Sequence, residues 1–239
     1  MDDTQRLQYL QAMGIDVWVP RETAVEQSTV AEQGAASFQG APTEERAADV
    51  ADPVLQQWRQ LEQEVAGCQL CPLAETRTQT VFGTGNRNAD WLLIGEAPGQ
   101  SEDQQGKPFV GKAGFLLTEM LRALGLSRED VFIANILKCR PPDNRDPKAG
   151  EVAACHPYLQ RQIALIRPKI ILAVGRVAAQ QLLKTDAPLG RLRGSVHYLD
   201  KIPVVVVYHP AYLLRSPLDK RKAWNDLQMA GRLYRELQD

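Results

Sequence analysis

Lys169-Ile170-Ile171-Leu172-Ala173-Val174-Gly175-Arg176 is the stretch whose reading decides the fold. Its apolar run is continuous rather than alternating, as in a strand buried on both faces. Glycine then frees the chain to turn into Val177–Leu183, which reads as a helix. The same unit recurs on either side. Trp91-Leu92-Leu93-Ile94 is a strand ahead of a helix over Gly111–Leu124, and Val131-Phe132-Ile133-Ala134 a strand ahead of a helix over Lys148–Ile166. Val204–Tyr208 is a strand ahead of a closing helix over Leu218–Leu237. Apolar strands alternating with helices predict a three-layer α/β/α fold around a central, mostly parallel four-stranded sheet. Ligand sites in such sheets lie beyond the carboxyl ends of the strands, so chemistry is sought there.

The compact domain is expected over residues 53–239, opening at Asp52-Pro53, a helix cap followed by a first-turn proline. Residues 21–52, rich in Ala, Glu, Gln, Ser, Thr and Gly with no apolar period, read as a flexible acidic linker. Residues 1–20 read either as a docking peptide for a partner or as a peptide that folds back on its own domain. Leu7, Leu10 and Met13 share one side of a short helix that Gly14 ends, and Ile15-Asp16-Val17-Trp18-Val19-Pro20 is extended and apolar.

The net charge of −1 hides an asymmetry: residues 1–56 hold 3 Lys/Arg against 10 Asp/Glu, and residues 57–239 hold 25 against 19. A basic body behind an acidic leader suits a phosphate backbone, as it also suits an ordinary solvated surface. No apolar run approaches the roughly 20 residues of a membrane helix. The acidic start Met1-Asp2-Asp3 lacks the profile of a secretory signal. A soluble cytoplasmic monomer is expected.

The four cysteines are Cys68 and Cys71, in a C-x-x-C followed by Pro72, and Cys139 and Cys155, with 15 residues between them. In a cytosolic setting disulfides are disfavoured, and two distant pairs drawn together point to a metal. Four thiolates suit either tetrahedral zinc or an iron–sulfur cluster, and spacing does not separate the two.

Four strings sit just past strand ends or in the loops they feed. They are Gly95-Glu96-Ala97-Pro98-Gly99 running on through Glu102 to Gly106-Lys107-Pro108-Phe109-Val110-Gly111; Asn135-Ile136-Leu137-Lys138-Cys139-Arg140-Pro141-Pro142 with Asn144-Arg145; Gly175-Arg176; and His209-Pro210-Ala211-Tyr212-Leu213-Leu214-Arg215. Singly, each reads as a turn or a loop cation. Together, in this order and with the cysteines interleaved, they resemble the family 4 uracil-DNA glycosylases, over about residues 53–239.

That resemblance implies a DNA-repair hydrolase that flips uracil out of single- or double-stranded DNA and cuts its bond to the sugar. It also implies a 4Fe–4S cluster held by Cys68, Cys71, Cys139 and Cys155. Phe109 would stack on the flipped base, and Asn135 would read O4 and N3–H, which cytosine presents reversed. His209 would donate to the anion developing at uracil O2, with help from backbone N–H groups of the Gly95–Gly99 loop, Ala97 included. His209–Arg215 would be the DNA-insertion loop, with Tyr212, Leu213 and Leu214 wedging and Arg215 on phosphate. Related families place an Asp or Asn in the first string to orient water; Glu96 and Ala97 stand there instead. Glu96 is therefore the candidate to position water or steady the sugar cation, with Glu102 in support. Arg140, Arg145, Lys148, Lys112 and Lys138 are candidate phosphate contacts, and the cluster would serve structure rather than electron transfer. A uracil-DNA sensor with little turnover is the competing reading. The leader loosely resembles the N-terminal peptide of the clamp-loader psi subunit, which would make residues 7–20 a tether to the replisome.

Overall fold

A computed structural model of the chain describes residues 52–238. The docking peptide and the linker up to residue 51 lie outside the described residues.

In chain order the elements are α1 (Pro53–Ala66), α2 (Leu73–Thr76), β1 (Thr84–Gly85), β2 (Trp91–Gly95), α3 (Gln100–Gln105), α4 (Lys112–Ala123), β3 (Val131–Asn135), α5 (Ala149–Ile166) and β4 (Ile170–Val174). They continue with α6 (Arg176–Leu183), α7 (Leu189–Leu192), β5 (Val196–Leu199), β6 (Ile202–Val207), α8 (Pro210–Arg215) and α9 (Lys220–Glu236). Two 3-10 turns, Pro142–Asn144 and Pro217–Asp219, precede α5 and α9.

The sheet has six strands in the order β1-β3-β2-β4-β6-β5. The inner four, β3, β2, β4 and β6, are mutually parallel and are the four expected from the apolar runs. The expected count of four is corrected by two antiparallel edges. Both escaped notice for physical reasons: β1 is two residues ending in glycine, and no β5 residue is fully buried. The β5–β6 hairpin turns at Asp200 in the left-handed region (φ 52°), as tight hairpin turns demand.

Continuous apolar runs are explained by burial on both sides. Leu92, Ile94, Phe132, Ile171 and Val204 face one core with Trp58 and Leu159, whereas Leu93, Ile133, Leu172 and Val205 face the other with Leu117 and Leu227. Burying one such leucine contributes about 1.5–3 kcal/mol.

The helix starts follow local chemistry. Asp52 Oδ1 accepts from Val54 N at 2.8 Å with Pro53 in the first turn. Glu151 Oε2 reaches back to accept from Lys148 N at 2.8 Å, so α5 begins at Ala149. The closing helix begins at Lys220 rather than Leu218, because Pro217–Asp219 forms the 3-10 turn. Among the described residues, no helix is long and apolar enough to cross a membrane.

Candidate functional site

The carboxyl ends of the four parallel strands open into a cavity of about 720 Å³, whose lining includes Glu96, Ala97, Phe109, Asn135, Tyr208 and His209. The strand register brings its floor together: Gly95 pairs with Asn135 across β2 and β3. A Cβ on Gly95 would fall 2.4 Å from Asn135 Oδ1 and 2.7 Å from Phe109 Cζ. The amide and the ring therefore converge on the bare face of that glycine. His209 lies with its ring centroid 5.6 Å from that of Phe109 and the planes tilted by 30°. Phe109, Asn135 and His209, each named from sequence, thus meet around one space.

Phe109 is held in a backbone conformation that non-glycine residues seldom adopt, φ 53°. Arg128 keeps it there by donating from Nη1 to Phe109 O at 3.2 Å and from Nη2 to Pro108 O at 2.8 Å. From the other side, Glu102 Oε1 accepts from Val110 N at 2.9 Å and Gly111 N at 3.1 Å. Glu102 thus shapes the aromatic loop. Arg128 was missed: in sequence it is a loop cation, and only the folded chain shows what it grips.

Asn135 is 2% exposed, and its Oδ1 has no hydrogen-bond partner. Leaving a buried acceptor unpaired costs about 1–3 kcal/mol. A ligand N–H reaching the cavity wall removes that cost.

His209 caps α8, with Nδ1 accepting from Ala211 N at 3.1 Å. A backbone N–H only donates, so Nδ1 is unprotonated and the neutral ring carries its proton on Nε2. Burial, with Arg215 adding to it and Glu102 opposing, pushes the imidazole down to about 4. The ring is consequently neutral near pH 7, with one donor to offer.

Glu96 moves the opposite way on the scale and for the same main reason. Burial pushes its carboxyl up to about 7; Asp146 adds to the effect and Arg176 counters it. Arg176 itself pairs with Asp146, so the cation of the third string is already engaged.

The fourth string needs correction. It is the short helix α8 rather than a loop, and Leu213 is 1% exposed within the core beneath it, so it cannot wedge into DNA. The helical spacing turns Leu213 inward and leaves Leu214 45% exposed. Tyr212 stacks on Tyr208, ring centroids 5.0 Å apart, and donates to Asp219 Oδ2 at 2.6 Å. It belongs to the cavity wall, as does Arg215. Leu218, 94% exposed on the turn before Asp219, went unremarked because the pattern placed it inside a helix.

The candidate phosphate contacts divide. Lys112 and Lys148 are exposed. Arg145 grips Glu151 through both terminal nitrogens, at 2.9 and 2.6 Å, and Arg140 Nε donates to Asn144 Oδ1 at 2.8 Å. Both are tied to neighbours rather than free. Lys138 is buried and makes no phosphate contact; its location at the close of β3 carries it inward.

Cys139 and Cys155 are buried, Cys68 and Cys71 half-buried, and all four are free thiols. They sense one another: Cys71 and Cys68 oppose ionisation of Cys139, as Cys139 and Cys68 do for Cys155. Burial raises the Cys139 thiol and pushes that of Cys155 to about 11. Two donors are nonetheless aimed at sulfur, Arg77 Nη1 to Cys139 Sγ at 3.1 Å and Lys138 N to Cys155 Sγ at 3.2 Å. Such donors suit anionic thiolates, the form that metal binding imposes. Among the described residues, no group of three or more His, Cys, Asp or Glu is arranged to hold a single metal ion.

Comparison with known proteins shows the family. The family model described as the uracil DNA glycosylase superfamily matches residues 82–228. A type-4 uracil-DNA glycosylase of Archaeoglobus fulgidus is 44% identical over 178 residues, 71% of this chain and 89% of that protein. One from Saccharolobus solfataricus is 50% identical over 163 residues, 64% of this chain and 76% of that protein. One from Thermotoga maritima is 44% identical over 154 residues, covering 64% and 80%. The chain belongs to the uracil-DNA glycosylase superfamily and, within it, to the type-4 family.

Proposed function

We propose that the chain flips uracil out of DNA and hydrolyses the bond between uracil N1 and sugar C1′, leaving an abasic site. The observation that carries this reading is the unpartnered Oδ1 of Asn135, buried beside the Phe109 ring in the strand-end cavity. Uracil supplies what that atom lacks. Its N3–H donates to Oδ1, its O4 accepts from the amide nitrogen, and its ring stacks on Phe109. Cytosine offers the opposite pattern and leaves the amide unsatisfied, a mismatch that buried polar sites reject strongly.

Cleavage sends the N1–C1′ electron pair onto uracil and leaves positive character on the sugar. The neutral His209 donates Nε2–H toward the developing anion at O2, and the departing base takes up a proton from solvent. The Glu96 carboxylate holds the attacking water and receives one of its protons as oxygen bonds to C1′. Leu214 and Arg215, at the exposed end of α8, meet the stack and the phosphates around the vacated position.

Cys68, Cys71, Cys139 and Cys155 hold a 4Fe–4S cluster in this reading. The cluster supplies a covalent tie between the start of the domain and the segment after β3; hydrolysis itself needs no electron from it. The leader through residue 20 serves as a tether to a replication partner in the same reading.

A uracil-containing oligonucleotide, incubated and then cleaved with alkali, tests the function. Strand scission with free uracil and many turnovers is the expected result. Tight binding without release would instead make the chain a sensor of uracil in DNA, and neither binding nor release would remove the reading altogether.

A further inference from the structure

Lys138 is 1% exposed along its whole length. Its Nζ donates to Asn135 O at 2.9 Å and to Gln162 Oε1 at 2.6 Å. Gln162 is fixed in turn, with Nε2 donating to Phe82 O at 2.9 Å. Both acceptors of the ammonium are neutral oxygens, with no carboxylate among them, and the next residue along the chain is Cys139. A buried charge without an opposite charge carries a desolvation cost that neutral acceptors do not offset. Four thiolates around iron bear net negative charge and supply the missing partner. The backbone N–H of the same residue already donates to Cys155 Sγ at 3.2 Å.

We infer that Lys138 is a positioning residue, its ammonium the buried counter-charge of the cysteine-held cluster and its hydrogen bond to Asn135 O the link from that cluster to the amide that reads the base. The inference rests on the proposed cluster. The contacts run from Cys155 Sγ to the backbone N–H of Lys138 and, through the side chain of the same residue, to Asn135 O at the end of β3. The cysteines thus have a contact path to the pocket floor, although no cysteine lines the cavity.

Lys138→Met removes the charge and the hydrogen bond, and Lys138→Gln removes the charge while keeping a donor. Each is made in the full chain and compared with wild type by three measurements: iron per chain, rate of iron loss to bathophenanthroline, and the midpoint potential of the cluster. Outer-shell changes weaken metal sites about 10–100-fold. Both variants should accordingly lose iron to the chelator at least about tenfold faster, with the midpoint shifted to more negative potential. The KM for uracil-DNA should rise more in Lys138→Met than in Lys138→Gln. Wild-type iron retention and an unchanged potential in both variants would overturn the inference and leave the cluster standing. A wild-type chain purified anaerobically without iron would overturn the cluster and this inference with it. Should Lys138→Met fail to fold, the same readouts on Lys138→Gln decide.

Discussion

Replacing Gly95 with alanine is the sharpest structural test of the pocket. The glycine does not have positive φ, so alanine fits its backbone and the perturbation is confined to one methyl group. That methyl would lie 2.4 Å from Asn135 Oδ1 and 2.7 Å from Phe109 Cζ, where ordinary contact begins near 3.4 Å. The amide must retreat by about 1.0 Å and the ring edge by about 0.7 Å to restore contact at that distance. Misplacing a positioning group by about 1 Å costs about 100-fold in rate. Single-turnover uracil release should fall by about that factor. Overpacking should lower stability by only about 1–3 kcal/mol, followed by thermal melting. Gly150→Ala is the control, since nothing lies within 4 Å of its added methyl on α5. It should release uracil at the wild-type rate. A folded Gly95→Ala chain cleaving within threefold of wild type would refute the claim that the base rests against both groups.

Asn135→Asp removes the donor to O4 and leaves a buried carboxyl; uracil release should drop about 10–100-fold, and uracil's advantage over cytosine should shrink, as read on paired oligonucleotides. The Glu96 carboxyl, raised to about 7, should give the rate an acid limb that climbs with pH and levels above that value, and Glu96→Gln should abolish the limb. The same shift has a stability sign. A raised carboxyl penalises the folded state increasingly from the ordinary 4.5 up to about 7, so Glu96→Gln should melt higher above pH 7 and match wild type below 4.5. Cys139→Ser should lower both bound iron and melting temperature, with little change in rate for the fraction that retains iron.

The parts of the fold legible in sequence were those fixed by burial on both faces. Strands β2, β3, β4 and β6 announce themselves because every residue of Trp91–Gly95 or Ile170–Val174 is buried. The two edges carry no such signal, as β1 is a half-buried threonine and an exposed glycine and no residue of β5 is fully buried. The site was legible where a residue type is chemically committed: a strand-end histidine, an amide, a lone aromatic. It was not legible where role depends on rotation about a helix. Leu213 and Leu214 are neighbours of one type, and only the packing of α8 buries one and exposes the other. Lys138 failed for a related reason. A lysine after a strand reads as a surface cation, because burying one demands partners, here Gln162 and the cysteines, that sequence spacing does not disclose.

Two ionisable groups of the cavity wall are driven toward neutrality, His209 downward and Glu96 upward, and burial is the first cause in each case. The pocket thus discourages fixed charge before any reaction occurs. A cationic histidine would stabilise the leaving anion more, but it would first have to be desolvated in the free protein. With Nδ1 locked by the Ala211 N–H, the fold forgoes that charge and aims a neutral donor. Such a donor needs no reorganisation as the bond breaks, the condition under which aimed dipoles are most effective. Of the other charged groups in the wall, Arg176 pairs with Asp146, Glu102 holds the aromatic loop through Val110 N and Gly111 N, and Arg215 stands exposed. In the proposed reading, Arg215 draws phosphate without preferring any base. In the proposed reading, discrimination therefore falls to Asn135 and Phe109, which the bare face of Gly95 admits to one part of the cavity.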